Sequence, residues 1–254
     1  MTRSRIIGLA LLAIAAIAVG GFIAYDQVLR GDSVAALALP SASPSTDGGG
    51  APTLAPASTT PSSAASTDPS TDGSIAGEWT VGAGSVAGYR VREQLADLPA
   101  ESDAVGRTED VTGSITVEVD GDAARLTAGT LTVDTTTIQS DEGRRDNRLR
   151  NEGLQTDQFP TATFSVTQPV DVPAQALAGT PTEVTLVGGL TLHGVTKSVD
   201  IPAQVQLTDG KIQVAGSLTF PLSDFDISPP NVGGFILSIA DEGALEFLVV
   251  FSKG

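Results

Sequence analysis

The sequence predicts an all-β, antiparallel domain, and two observations carry that expectation. Apolar residues recur at every second position over long stretches between residues 79 and 251, the period of a strand with one buried face. Between the stretches stand short turn signals, Asp120-Gly121, Asp209-Gly210 and the turn at Gly194. Strands that are apolar on one face need a shared interior. A sandwich or a closed barrel supplies it, and periodicity alone leaves both open.

The first element is of another kind. Arg3 and Arg5 precede an uncharged apolar run from Ile6 to Tyr25, whose 20 residues would span about 30 Å as a helix, the thickness of a bilayer core. Residues 1–30 therefore read as a transmembrane anchor. The two arginines then stay in the cytoplasm and the rest is extracytoplasmic. The competing reading is a signal peptide cut at Ala16-Ile17-Ala18 or Ala36-Leu37-Ala38, which would leave the protein secreted. Residues 31–74 form the next unit. From Pro40 to Ser74 the chain is, apart from Leu54, Ser, Thr, Pro, Ala, Gly and Asp without apolar period, a disordered tether reaching roughly 30–35 Å.

Residues 75–254 are the barrel-sized domain. Strands are expected at Trp79–Val81 and Val86–Val91, and then at Val111–Asp120, where Val111, Ile115, Val117 and Val119 alternate with polar residues. Arg125–Thr137, Thr163–Val166, Val184–Leu192, Val199–Leu207, Ile212–Phe220 and Leu245–Phe251 complete a set of eight or nine. The acidic stretch Glu93 to Asp110 is expected as an irregular loop. Asp141 to Leu154 breaks the strand pattern. It has no β-branched residue, and Asp141/Arg145 and Asp146/Arg150 are acid-before-base pairs at helical spacing. One short helix is expected there, plugging an end of the domain.

Net charge is −16, and no cysteine is present. Disulfides, thiolate catalysis and cysteine-ligated zinc are excluded, and an acidic surface repels phosphate backbones, so nucleic acid is a poor partner. The single histidine, His193, sits at a turn with no ligand spacing around it and no G-x-S-x-G elbow anywhere. Asp224 and Asp226 flank Phe225, and Asp241-Glu242 stands before the last apolar run; both read as turn punctuation. No catalytic residue, metal site or cofactor is expected.

Three motifs add a resemblance. Gly188-Gly189-Leu190-Thr191-Leu192-His193-Gly194-Val195-Thr196-Lys197 is the most specific. Arg145-Asp146-Asn147-Arg148-Leu149-Arg150 followed by Phe159-Pro160 is the second, and Asp224-Phe225-Asp226-Ile227 with the final strand is the third. Together they resemble the YceI-like family over Glu78 to Lys253. Asn147-Arg148 stands where the family motif carries a histidine. The resemblance implies an antiparallel, lipocalin-like barrel of about eight strands that binds a polyisoprenoid or similar apolar lipid, without enzymatic activity. Its cavity would be lined by inward-facing Ile115, Val117, Leu131, Val133, Phe164, Val166, Leu190, Leu192, Leu218 and Phe247. Glycines at inward positions, Gly113, Gly188 and Gly216, hint at open space or mark bends. Arg144, Arg145 and Arg148 would form a rim for a phosphate or carboxylate headgroup. The alternative is a filled barrel that acts through its surface. Oligomeric state is left open.

Overall fold

A computed structural model describes residues 34–40, 75–96, 101–121, 123–229 and 236–253. The expected anchor, and the expected spacer apart from residues 34–40, lie outside the described residues. Among those described, no helix is long and apolar enough to cross a membrane.

Eleven strands follow in order: β1 (Gly77–Val81), β2 (Val86–Leu95), β3 (Ser102–Thr108), β4 (Val111–Asp120), β5 (Ala123–Asp134), β6 (Thr161–Val166), β7 (Val170–Val172), β8 (Thr182–Leu192), β9 (Val195–Thr208), β10 (Lys211–Pro221) and β11 (Ile236–Lys253). Eight of them close an antiparallel barrel in the order β1-β4-β5-β6-β8-β9-β10-β11 and back to β1, with Trp79 opposite Lys253 and Val81 opposite Phe251. The barrel reading thus prevails over the sandwich. Closure leaves no free edge in the ring.

The long last strand makes this possible. Its C-terminal end pairs with β1, while Gly243–Leu248 pairs with β2. The break between β1 and β2 is patched by Ser85, whose Oγ donates to the Gly82 carbonyl at 2.8 Å and accepts from the Val250 amide at 3.0 Å. The stretch expected as an irregular loop contains β3, paired with β2 from Ala87/Thr108 to Glu93/Ser102. Its outer edge meets Gln139 through two backbone hydrogen bonds to Arg107. Asp241-Glu242, expected as a turn, lies inside β11 at a break in its register with β2. From Ile239/Glu93 to Gly243/Val91 the register shifts, the irregularity by which a bulge re-aims a strand.

Two hairpins show how sequence becomes geometry. His193 and Gly194 between β8 and β9, and Asp209 and Gly210 between β9 and β10, all have φ between 50° and 76°. Both residues of each turn are left-handed, the twist that matches adjoining strands. The expected helix is α1 (Gly143–Arg148), extended by a wider turn at Leu149–Gly153. The Asp141–Arg145 pair forms, with Asp141 two residues ahead of the helix. The expected Asp146–Arg150 pair does not. Asp146, buried, instead accepts from the Ser140 amide at 2.9 Å and its hydroxyl at 2.7 Å, while Arg150 donates to the carbonyls of Thr136 and Ile138. Both side chains tie the helix to the preceding segment rather than to each other.

Residues Val34–Pro40, drawn above as part of the spacer, lie against the β2–β3 wall. Arg90 Nη2 donates to the Val34 carbonyl at 2.8 Å and Arg107 Nη2 to the Ala35 carbonyl, and Leu39 is only 6% exposed. Arg90 faces Val105 across the pair, and Arg107 faces Gly88, so this contact uses the wall face opposite to Tyr89.

Candidate ligand cavity

The interior is packed in part and hollow in part. Trp79, Phe251, Ile201 and Val249 are almost wholly buried in the main apolar cluster. At the end bearing β2, β3 and α1 a cavity of about 210 Å³ remains, walled by Tyr89, Val91, Ala104, Ile138, Leu149 and Phe220 among others. A second space of about 40 Å³ lies elsewhere among Ile75, Leu126, Ala176 and Leu186. For scale, dry apolar cavities of about 150 Å³ accept a benzene-sized guest.

The ten residues expected to line a cavity divide into three groups. Leu131, Val133, Phe164, Leu190, Leu192 and Phe247 border the large cavity. Ile115 and Val117 border the small one instead. Val166 and Leu218 pack against the core and border neither. Period two tells which face a residue takes, but position along the barrel axis decides which space it meets. Tyr89, Ala104 and Ile138 were not foreseen. The signal for Ala104 was hidden because its strand was read as a loop.

Two of the inward glycines are sockets. A Cβ on Gly188 would come within 2.5 Å of Phe164 Cζ, and one on Gly216 within 2.7 Å of Phe247 Cζ. Each ring fills the space that its glycine leaves. Gly113, with φ +141°, would place a Cβ 2.0 Å from the Thr130 carbonyl, so it serves a bend. None of the three accounts for the hollow.

The arginines separate as well. Arg145 Nη2 meets Glu93 Oε1 at 2.6 Å, and the Glu93 side chain is 2% exposed. Its other arm pairs with Asp141 and donates to Ser140 Oγ at 3.3 Å. Burial pulls the Arg145 guanidinium down, but the hydrogen bonds and charges of Glu93 and Asp141 outweigh it and leave the group above its ordinary value. Arg148, half-buried, borders the cavity and has no hydrogen-bond or ion-pair partner among the described residues. Arg144 is exposed and does not border it. Beside Arg145, burial pushes the Tyr89 hydroxyl up to about 12. Tyr89 Oη and Arg145 Nε are both buried without a partner among the described residues.

The three sequence motifs meet at the β8–β9 turn. His193 Nδ1 donates to the Phe225 carbonyl at 3.1 Å, Lys197 Nζ pairs with Asp224 at 2.8 Å, and Phe159 packs edge-on against the His193 ring at 4.6 Å. Phe225, 1% exposed, is the plug beneath them. Among the described residues no group of His, Asp and Glu side chains is placed to hold a metal ion.

A closed eight-strand antiparallel barrel with a short helix and an apolar cavity at one end defines the class. The chain belongs to the YceI-like domain family, whose model matches residues 80–251. It is 34% identical over 130 residues to a UPF0312 protein of Pseudomonas paraeruginosa, a match that spans 48% of this chain and 62% of that one. Among solved structures, the polyisoprenoid binding domain from Saccharophagus degradans implicated in plant cell wall breakdown is similar. There the TM-score is 0.51 at 19% identity, over 70% of this chain and 99% of that one. BcnA of Burkholderia cenocepacia gives a TM-score of 0.47 at 20% identity, over 65% and 95%.

Proposed function

We propose that this barrel is a non-enzymatic binder of an apolar isoprenoid-type lipid or similar amphiphile, held on the extracytoplasmic side of a membrane by the run Ile6–Tyr25. The observation that carries the reading is the cavity of about 210 Å³ at the helix end, almost wholly apolar in its lining. The S. degradans domain, whose fold this chain shares, is described as polyisoprenoid-binding, and that puts the isoprenoid class first. Burying one five-carbon unit contributes on the order of 3–4 kcal/mol before ordering costs. A few units are therefore enough for micromolar binding without any polar contact. The cavity is smaller than the roughly 300–1,000 Å³ of drug-sized pockets. It suits the terminal part of a long chain, the remainder lying at the mouth.

Native mass spectrometry of the protein purified from cells, followed by lipid extraction, tests this. A co-purifying lipid near one-to-one supports the reading and names its class. A protein that is empty and ignores added isoprenoids would move it to the rival, a barrel acting through its surface.

A further inference from the structure

We infer that the apolar ligand of this cavity carries a single carboxylate, received by Arg148. The inference rests on the lipid-binding reading above and adds the headgroup to it. It follows from which charges at the cavity are already used.

Five charged residues border the space: Arg90, Glu93, Arg145, Arg148 and Glu246. Four are committed to one another. Arg90 Nε lies 2.6 Å from Glu246 Oε1, with Asp103 at 3.0 Å on its other arm. Arg145 Nη2 lies 2.6 Å from Glu93 Oε1, with Asp141 on its other arm. Of the three guanidiniums that border the cavity, these pairs leave Arg148 as the one without a counter-ion among the described residues. Arg148 therefore brings one uncompensated positive charge to the edge of an apolar space, and a carboxylate matches it. A guanidinium fork receives a carboxylate through two parallel hydrogen bonds.

The two obvious alternatives fit less well. A diphosphate brings several negative charges to a place that already holds Glu93, with Asp141 and buried Asp146 close to Tyr89 and Arg145. It would find one free cation. An alcohol or a carbonyl would leave the half-buried Arg148 uncompensated beside an apolar space. Other donors border the same space. Tyr89 Oη and Arg145 Nε are buried without an acceptor among the described residues, so the cavity wall has further hydrogens to offer to oxygen lone pairs. The shared chemistry is a long-chain carboxylate, whether its chain is isoprenoid or acyl.

The test holds the chain constant and varies the head. Full-length protein in nanodiscs is given farnesoate, farnesol and farnesyl diphosphate at equal concentration, and native mass spectrometry reads the adducts. Farnesoate is expected to exceed farnesol by roughly tenfold to a hundredfold, the worth of one charge-assisted contact. Farnesyl diphosphate is expected below farnesoate. Arg148→Gln should abolish the preference, bringing the farnesoate-to-farnesol ratio to about one, and farnesol that is still bound is the internal control for folding. Arg148→Lys, which keeps the charge and loses the fork, should retain part of the preference. Equal acid and alcohol binding in the wild type, dominance of the diphosphate, or an unmoved ratio in Arg148→Gln with farnesol still bound would overturn the headgroup assignment and leave lipid binding standing. Absence of all three adducts from the wild type would sink both.

Discussion

Replacing Gly188 by alanine distinguishes a socket from a void, and the two readings predict opposite signs. Gly188 sits in β8 opposite Val166, with the Phe164 ring over it. An added Cβ would lie 2.4 Å from the Ser165 carbonyl oxygen and 2.5 and 2.6 Å from Phe164 Cζ and Cε2. The ring can tilt, but the carbonyl belongs to the β6–β8 pairing and moves only with its strand. Overpacking of this kind costs about 1–3 kcal/mol. The lower chain entropy of unfolded alanine returns about 0.4–1 kcal/mol. A net loss of about 1–2 kcal/mol lowers the midpoint by roughly 2–8 °C for a domain of this size. Thermal and urea unfolding of the purified protein read it. Gly143→Ala is the matched control: an added Cβ there meets nothing within 4 Å, at the start of α1, and the change should stabilise by a few tenths to about 1 kcal/mol. If Gly188→Ala were neutral or stabilising as well, the inward glycine would be a void and the socket argument would fail.

Two other predictions follow from particular contacts. The Tyr89 hydroxyl is raised from 10.0 to about 12 by burial. The stability this gives is complete below pH 10 and is lost as the pH climbs to 12, a fall of roughly 2–3 kcal/mol by linkage. Unfolding midpoints of Tyr89→Phe should lack that part of the alkaline fall, and identical pH profiles for variant and wild type would refute the assignment. Leu39→Asp should free residues 34–40 from the β2–β3 wall, since a buried leucine contributes about 1.5–3 kcal/mol and the rest of the hold is two hydrogen bonds to carbonyls. Elastase should then cut this segment faster while the barrel's urea midpoint barely shifts; unchanged protection would show that Leu39 does not hold it.

The sequence by itself determined the strand faces, the hairpin turns, the helix position and, through three motifs, the family. Those are local matters: a period of two assigns faces, and Asp-Gly or His-Gly at a hairpin supplies the positive φ that the turn demands. Tertiary structure decided what depends on partners distant in the chain. Ser102–Thr108 becomes a strand only because β2 offers it an edge, although its own pattern is weak. Gly188 and Gly216 look like empty positions until the rings of Phe164 and Phe247 are placed in them. The four arginines of the helix segment are one basic cluster in the sequence. Glu93, 52 residues from Arg145, and the Thr136 and Ile138 carbonyls beneath Arg150 separate them, so that of the four only Arg148 borders the cavity without a partner among the described residues. A charge's role is set by what neutralises it, and that neighbour is chosen by the fold.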